Sequence, residues 1–185
     1  ICHIKGYKLK VIYRYLEMYP ELKERYDYFF FPDDDIQMDT AAINALFEAM
    51  RRYRLQIAQP VLSMSYYTWR HTLQDRYCKL RYINFVEMMV SCFSREALNK
   101  VLFTFNENET GWGTETHWPV LIDASQRDMA VIDEVSVVHT RPIQSGQAIH
   151  NRELAAYLRK YNLSTKVLHY DCLPSESVYC CDRNT

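Results

Sequence analysis

The chain has 185 residues, 48% hydrophobic and 24% charged, with a formal net charge of −1. This composition suits one folded domain with a sizeable core, and it argues against a disordered chain and against a nucleic-acid partner. No apolar stretch reaches the roughly 18 residues a membrane-crossing helix needs, and the start at Ile1 lacks the pattern of a secretory signal.

In chain order, Leu9, Ile12, Leu16 and Tyr19 fall at helical spacing before Pro20, which predicts an amphipathic helix over residues 7 to 19. A strand is expected from Tyr26 to Phe31, then an acidic loop, Asp33, Asp34 and Asp35. Asp39 or Thr40 can cap the following helix, whose apolar face is Ile43, Leu46, Phe47 and Met50. Ile57 to Leu62 reads as a second strand. The segment from Ser63 to Lys79 is a polar-aromatic connection carrying Tyr66, Tyr67, Trp69, Arg70 and His71, of the kind that contacts ligands. Asn84 to Phe93 reads as a third strand, with Ser94 capping a helix through Leu98, Val101, Leu102 and Phe105. Pro119 limits helix formation between Thr114 and Ile122. Ala130 to Val138 alternates as a strand that delivers His139 at its tip, and Asn151 to Tyr161 forms a last amphipathic helix. Alternating strands and helices predict an α/β fold with a mainly parallel sheet, organised as a single domain over 1–185.

Six cysteines show no CxxC pair and no zinc-finger spacing. Cys92, inside an apolar run, reads as a core residue. Reduced thiols and a cytoplasmic location, compatible with peripheral attachment to a membrane, are expected.

Three adjacent carboxylates at the end of a strand repel one another and call for a compensating cation. Strand-end carboxylates together with the imidazole of His139 make a set that suits Mn²⁺ and tolerates Mg²⁺. Between them in sequence lies Gly111-Trp112-Gly113-Thr114-Glu115. Trp112 offers a flat apolar face to a sugar ring, and Glu115 is a carboxylate able to orient or deprotonate a hydroxyl. Glu87, within an apolar run, needs a partner, which Arg81 or Arg95 can supply; acceptor binding is its other reading, as it is for Trp69. The plainer alternatives stand beside these readings. The acidic run can be a solvated turn at a helix N-terminus, His139 a satisfied strand-end histidine, Trp112 a core side chain, and Glu115 a first-turn helix carboxylate.

Phe31-Pro-Asp-Asp-Asp35 resembles the DxD motif of the GT-A class of nucleotide-sugar glycosyltransferases, and residues 111–115 resemble that class's Gly-Trp-Gly-x-Glu/Asp segment. His139 is similar to its late metal-ligand histidine. A closer resemblance spans about Tyr26 to Pro142, through the ordered run FPDDDI, IAQP, RYINFVEMM, FSREAL, GWGTE and VHTRP. It is to a bacterial and plant family, formerly catalogued as a domain of unknown function, that is treated as glycosyltransferases. The resemblance implies a GT-A-like sheet, with Asp33, Asp35 and His139 as metal ligands and Asp34 on the donor side. It also places the acceptor side at Trp112 and Gly113 with Glu115 as its carboxylate, to which the residue readings above add Trp69 and Glu87 as acceptor contacts. Thr116 stands where inverting members of the class often carry the Asp that acts as base. Little before Tyr26 corresponds to the class's opening nucleotide-binding strand, so part of that segment is expected to be missing.

The leading expectation is therefore a metal-dependent glycosyltransferase using a nucleotide-sugar donor and a carbohydrate or other hydroxyl acceptor. Its rivals are a non-catalytic carbohydrate- or partner-binding protein on the same fold, and a two-metal phosphoryl-transfer enzyme. The last lacks a second acidic cluster and a phosphate-cradling Gly-rich loop.

Overall fold

The computed structural model describes residues 4–63, 66, 69–142 and 147–175. Tyr67 and the cysteines Cys2, Cys180 and Cys181 lie outside these residues.

The helices are α1 (Lys8–Met18), α2 (Glu21–Arg25), α3 (Thr40–Tyr53), α4 (Arg95–Val101), α5 (Trp118–Leu121) and α6 (Gln147–Tyr161). They flank a seven-stranded sheet. β1 (Tyr28–Pro32), β5 (Val90–Ser94), β3 (Ile57–Leu62), β6 (Met129–His139), β4 (Cys78–Ile83) and β7 (His169–Pro174) follow one another across it. Short β2 (Ile36–Gln37) pairs with the carboxyl end of β6.

Side chains alternate across the strands, and each face receives its own helices. Phe29, Ile57, Phe93 and Met129 pack with α1, α4 and Trp118. Their chain neighbours Ala58, Cys92 and Ala130 pack on the opposite face with Leu46, Ala49 and Met50 of α3. β3 is buried along its whole length, as a central strand covered on both sides must be. Asp39 caps α3 by accepting from the Ala42 amide at 2.7 Å, and Ser94 caps α4 by accepting from Ala97 at 3.1 Å. Trp118 is fully buried, and its indole N–H donates to Thr104 Oγ1. Among the described residues no helix is long and apolar enough to cross a membrane.

Three expectations are corrected. The sheet is mixed and mostly antiparallel, not mainly parallel: among the described strands only the β3·β6 pair is parallel, whereas β1·β5, β3·β5, β4·β6, β4·β7 and β2·β6 are antiparallel. The stretch expected as one strand, 84–93, is a turn followed by β5, in which the Val90 amide donates back to the Glu87 carbonyl. A further strand, β4, precedes that turn. Alternating helices and strands constrain which elements neighbour one another, but a short reversal of this kind sets strand direction. The thiols are also not all reduced, because Cys78 of β4 and Cys172 of β7 form a disulfide. That bond removes the ground on which a cytoplasmic location was expected. Cys92 is buried, and burial pushes its thiol pKa up.

Candidate functional site

β1 ends at Pro32, and the acidic loop turns at once. The Asp33 amide donates to the Met89 carbonyl at 2.9 Å, and Ile36 donates back to the Asp33 carbonyl. β2 then pairs with β6 in a register that sets Ile36 opposite His139, and both the amide and the hydroxyl of Thr140 donate to the Asp35 carbonyl. This pairing brings residues about a hundred positions apart into contact: Asp35 Oδ2 lies 3.3 Å from His139 Nε2.

The His139 tautomer follows from its other nitrogen. Nδ1 is 3.0 Å from the Tyr66 carbonyl, which can only accept, so Nδ1 carries the proton. In a neutral ring Nε2 is then a lone pair facing a carboxylate oxygen. Two acceptors face each other there, and only a proton or a cation between them makes the approach favourable.

The three carboxylates differ in their surroundings. Asp33 Oδ1 pairs with the ammonium of Lys8, which also donates to the carbonyls of Phe31, Met88 and Met89. Burial lowers the Lys8 pKa, and Asp33 opposes that shift. Asp34 is exposed and bound by Arg141 at 3.1 Å. Asp35, 17% exposed, meets the same guanidinium at 3.3 Å, and its Oδ1 is a buried atom with no hydrogen-bond partner among the described residues.

The Gly-Trp-Gly turn is built from local bonds. Asn108 accepts from the Gly111 amide and donates to the Trp112 carbonyl, and Thr114 Oγ1 donates to the Gly111 carbonyl. Glu153 of α6 accepts from the amides of Glu109 and Thr110. Gly111 has φ +86°, and a Cβ there would stand 2.7 Å from Leu9 Cδ1. Gly113 has φ +96°, so both positions are strained for any side chain. Trp112 is half-buried, its indole stacked on His150 with ring centroids 4.7 Å apart and planes 4° from parallel. Glu115, 3% exposed, accepts from the Gly113 amide at 3.1 Å; burial pushes its pKa up to about 7, against the backbone amides of Glu115 and Gly113.

These parts line one cavity of about 630 Å³. Asp33, Asp34, Asp35, Glu87, Trp69, Trp112, Glu115 and His139 all reach it, while Gly113 lies behind the wall against Leu154 and Tyr157 of α6. Among the described residues its wall carries five carboxyl groups against one lysine, Lys8, and one arginine, Arg141, so acidic side chains outnumber these basic ones. Among the described residues no three His, Cys, Asp or Glu side chains are grouped to hold a metal by themselves. Asp35 and His139 fit a divalent cation as a pair, through a carboxylate with a buried open oxygen and an imidazole oriented by its second nitrogen. Asp33, engaged by Lys8, is not grouped with them.

The remaining candidates take up other contacts. Trp69 stacks near His71 and sets its ring at an angle to Phe85, and burial beside His169 and Arg81 pushes His71 down to about 4. Glu87 is buried and its amide donates to Gln59 Oε1, so the IAQP segment holds the turn that carries it. The arginines expected beside it go elsewhere: Arg81 binds Asp133, and Arg95 binds Asp27. Lys8, His150 and Arg141 are cavity residues that sequence reasoning did not single out. Arg141 sits in the VHTRP run, two residues after a predicted ligand, and that proximity was the available signal.

A family model described as "Protein of unknown function (DUF707)" matches residues 3–82. The match takes in Lys8, the acidic loop and β3, and ends before the Gly-Trp-Gly turn and His139. No curated protein and no solved structure matches the chain.

Proposed function

We propose that this protein is a metal-dependent glycosyltransferase of GT-A type, moving a sugar from a nucleotide-sugar donor to a hydroxyl acceptor, most simply a glycan. The observation that carries the reading is the meeting, in one cavity, of the Asp35–His139 pair with a buried carboxyl of raised pKa, Glu115, and a partly exposed tryptophan. Nothing in the spacing of residues 35, 115 and 139 requires that meeting.

Asp35 and His139 would hold a Mn²⁺ or Mg²⁺ ion, which would supply positive charge to a departing diphosphate. In this reading the acceptor oxygen attacks the anomeric carbon, the bond from that carbon to the diphosphate oxygen breaks, and the diphosphate leaves with the electron pair. Glu115 takes the acceptor's proton. A carboxyl with a pKa of about 7 is suited to that work near neutral pH, being both substantially ionised and basic enough to accept a proton. Trp112, backed by His150, gives the acceptor ring an apolar surface.

The test is release of nucleoside diphosphate from a panel of UDP- and GDP-sugars with Mn²⁺, with and without oligosaccharide acceptors. Acceptor-stimulated, Mn²⁺-dependent release supports the reading. Mn²⁺-independent release, or sugar binding with no turnover of any donor, contradicts it.

A second reading, a carbohydrate-binding protein without turnover, is favoured by one feature: Lys8 and Arg141 already neutralise much of the acidic loop. The same panel separates the two, because a binding protein retains acceptor affinity but needs neither metal nor donor.

A further inference from the structure

We infer that Lys8 is a positioning residue that withdraws Asp33 from the metal, leaving Asp35 and His139 as the ligands among the described residues. The inference rests on the metal site proposed above and specifies how that site is restricted. Lys8 opens α1, and its ammonium reaches across to the ends of two neighbouring strands. It donates to the carbonyls of Phe31, Met88 and Met89 and pairs with Asp33 Oδ1. An ammonium has three protons, so four surrounding oxygens use its whole donor capacity.

The cage is locked from several sides. The Met89 carbonyl accepts both from Lys8 and from the Asp33 amide, which ties the cation and the loop to the same atom. Leu9, the next residue of α1, packs where a side chain at Gly111 would stand, so α1 cannot withdraw Lys8 without disturbing the Gly-Trp-Gly turn. A divalent ion approaching Asp33 meets the Lys8 ammonium on that carboxylate; Asp35 also meets a guanidinium, Arg141 at 3.3 Å from Oδ2, but keeps its buried Oδ1 open beside His139. Asp33 thus fixes the loop and α1, and Asp35, the aspartate beside His139 with a buried open oxygen, binds the metal.

The test is Mn²⁺ binding followed by electron paramagnetic resonance and titration calorimetry on the intact chain, without sugar transfer as a readout. Asp33→Asn should change Mn²⁺ affinity by less than about threefold, while Asp35→Asn should weaken it by roughly thirtyfold or more. Lys8→Met should tighten Mn²⁺ binding by roughly tenfold, and in that background Asp33→Asn should reverse the gain, which is the coupling expected of a released third ligand. A Lys8→Met chain that does not fold leaves the comparison of Asp33→Asn with Asp35→Asn to decide. Equal losses in those two variants overturn the role of Lys8 while leaving the metal site standing. Failure of the parent chain to bind Mn²⁺ overturns the metal site, and the role of Lys8 with it.

Discussion

Asp35 and Glu115 line the same cavity in opposite surroundings. Asp35 has polar and charged neighbours: Arg141 lies on one side, the His139 imidazole at 3.3 Å on another, and two hydrogen bonds from Thr140 fix its backbone. Glu115 has one backbone amide from Gly113 besides its own, and otherwise lies in a buried wall formed by the Gly-Trp-Gly turn. The buried Oδ1 of Asp35, open beside His139, suits it to hold a cation on the proposed reading. A desolvated wall favours a carboxyl that changes protonation near neutral pH. On the proposed reading, environment divides two similar side chains into an electrostatic role and a proton-transfer role.

The largest expected effect is on turnover. Glu115→Gln keeps the shape and removes the base, so sugar transfer should fall by roughly 10²–10⁴-fold while Mn²⁺ affinity stays near parent. Parent-like transfer breaks the division of roles from the Glu115 side. Asp35→Asn should do the reverse, weakening Mn²⁺ binding by roughly thirtyfold or more without shifting the pH dependence attributed to Glu115. A Mn²⁺ titration calorimeter and a pH–rate profile read these two outcomes separately.

The pH dependence of stability sharpens the comparison. A carboxyl whose folded pKa is raised to about 7 holds its proton in the folded state between the unfolded value and 7, so the stability linked to it is present at low pH and is lost as pH rises through 7. Glu115→Gln removes that loss. The variant should therefore be more stable than the parent above pH 7, by on the order of 2 kcal/mol, with the difference shrinking toward pH 5. Denaturant unfolding at pH 5 and pH 8 measures it, and the same difference at both pH values would show that burial does not perturb Glu115. The smallest effect is expected at the rim: Trp112→Ala should weaken acceptor binding by roughly tenfold, about 1.4 kcal/mol, with donor binding unchanged. Loss of fold stability with unaltered acceptor affinity would instead make the Trp112–His150 stack structural.

Much of the site was legible because its residues advertise their chemistry. Three aspartates after an aromatic run, a tryptophan between glycines, and a histidine at the end of an alternating strand each break a local pattern, and all reach one cavity. What brings them there was not legible. The contact between Asp35 and His139 depends on β2, a two-residue strand too short to carry a periodic signal, pairing with the end of β6. Strand direction was missed because β4 sits in a segment of mixed aromatic and charged residues, and the turn after it is apolar enough to pass for strand. Met88 and Val86 of that turn are recruited into cores by tertiary contacts. Lys8 was invisible for a related reason: on a helical wheel it is an ordinary polar residue beside Leu9, and only the packing of α1 over two strand ends turns it inward. The Cys78–Cys172 pair likewise depends on β4 and β7 being neighbours, which no spacing of six cysteines reveals.

The central claim is that a divalent cation at Asp35 and His139 recognises a diphosphate in this cavity. Titration calorimetry of UDP and GDP into the parent chain and into Asp35→Asn, each with and without Mn²⁺, tests it most directly. The account predicts binding of at least one nucleoside diphosphate that requires Mn²⁺ and is lost in Asp35→Asn. Nucleoside diphosphate binding that is equal with and without Mn²⁺, or that survives in Asp35→Asn, would contradict it.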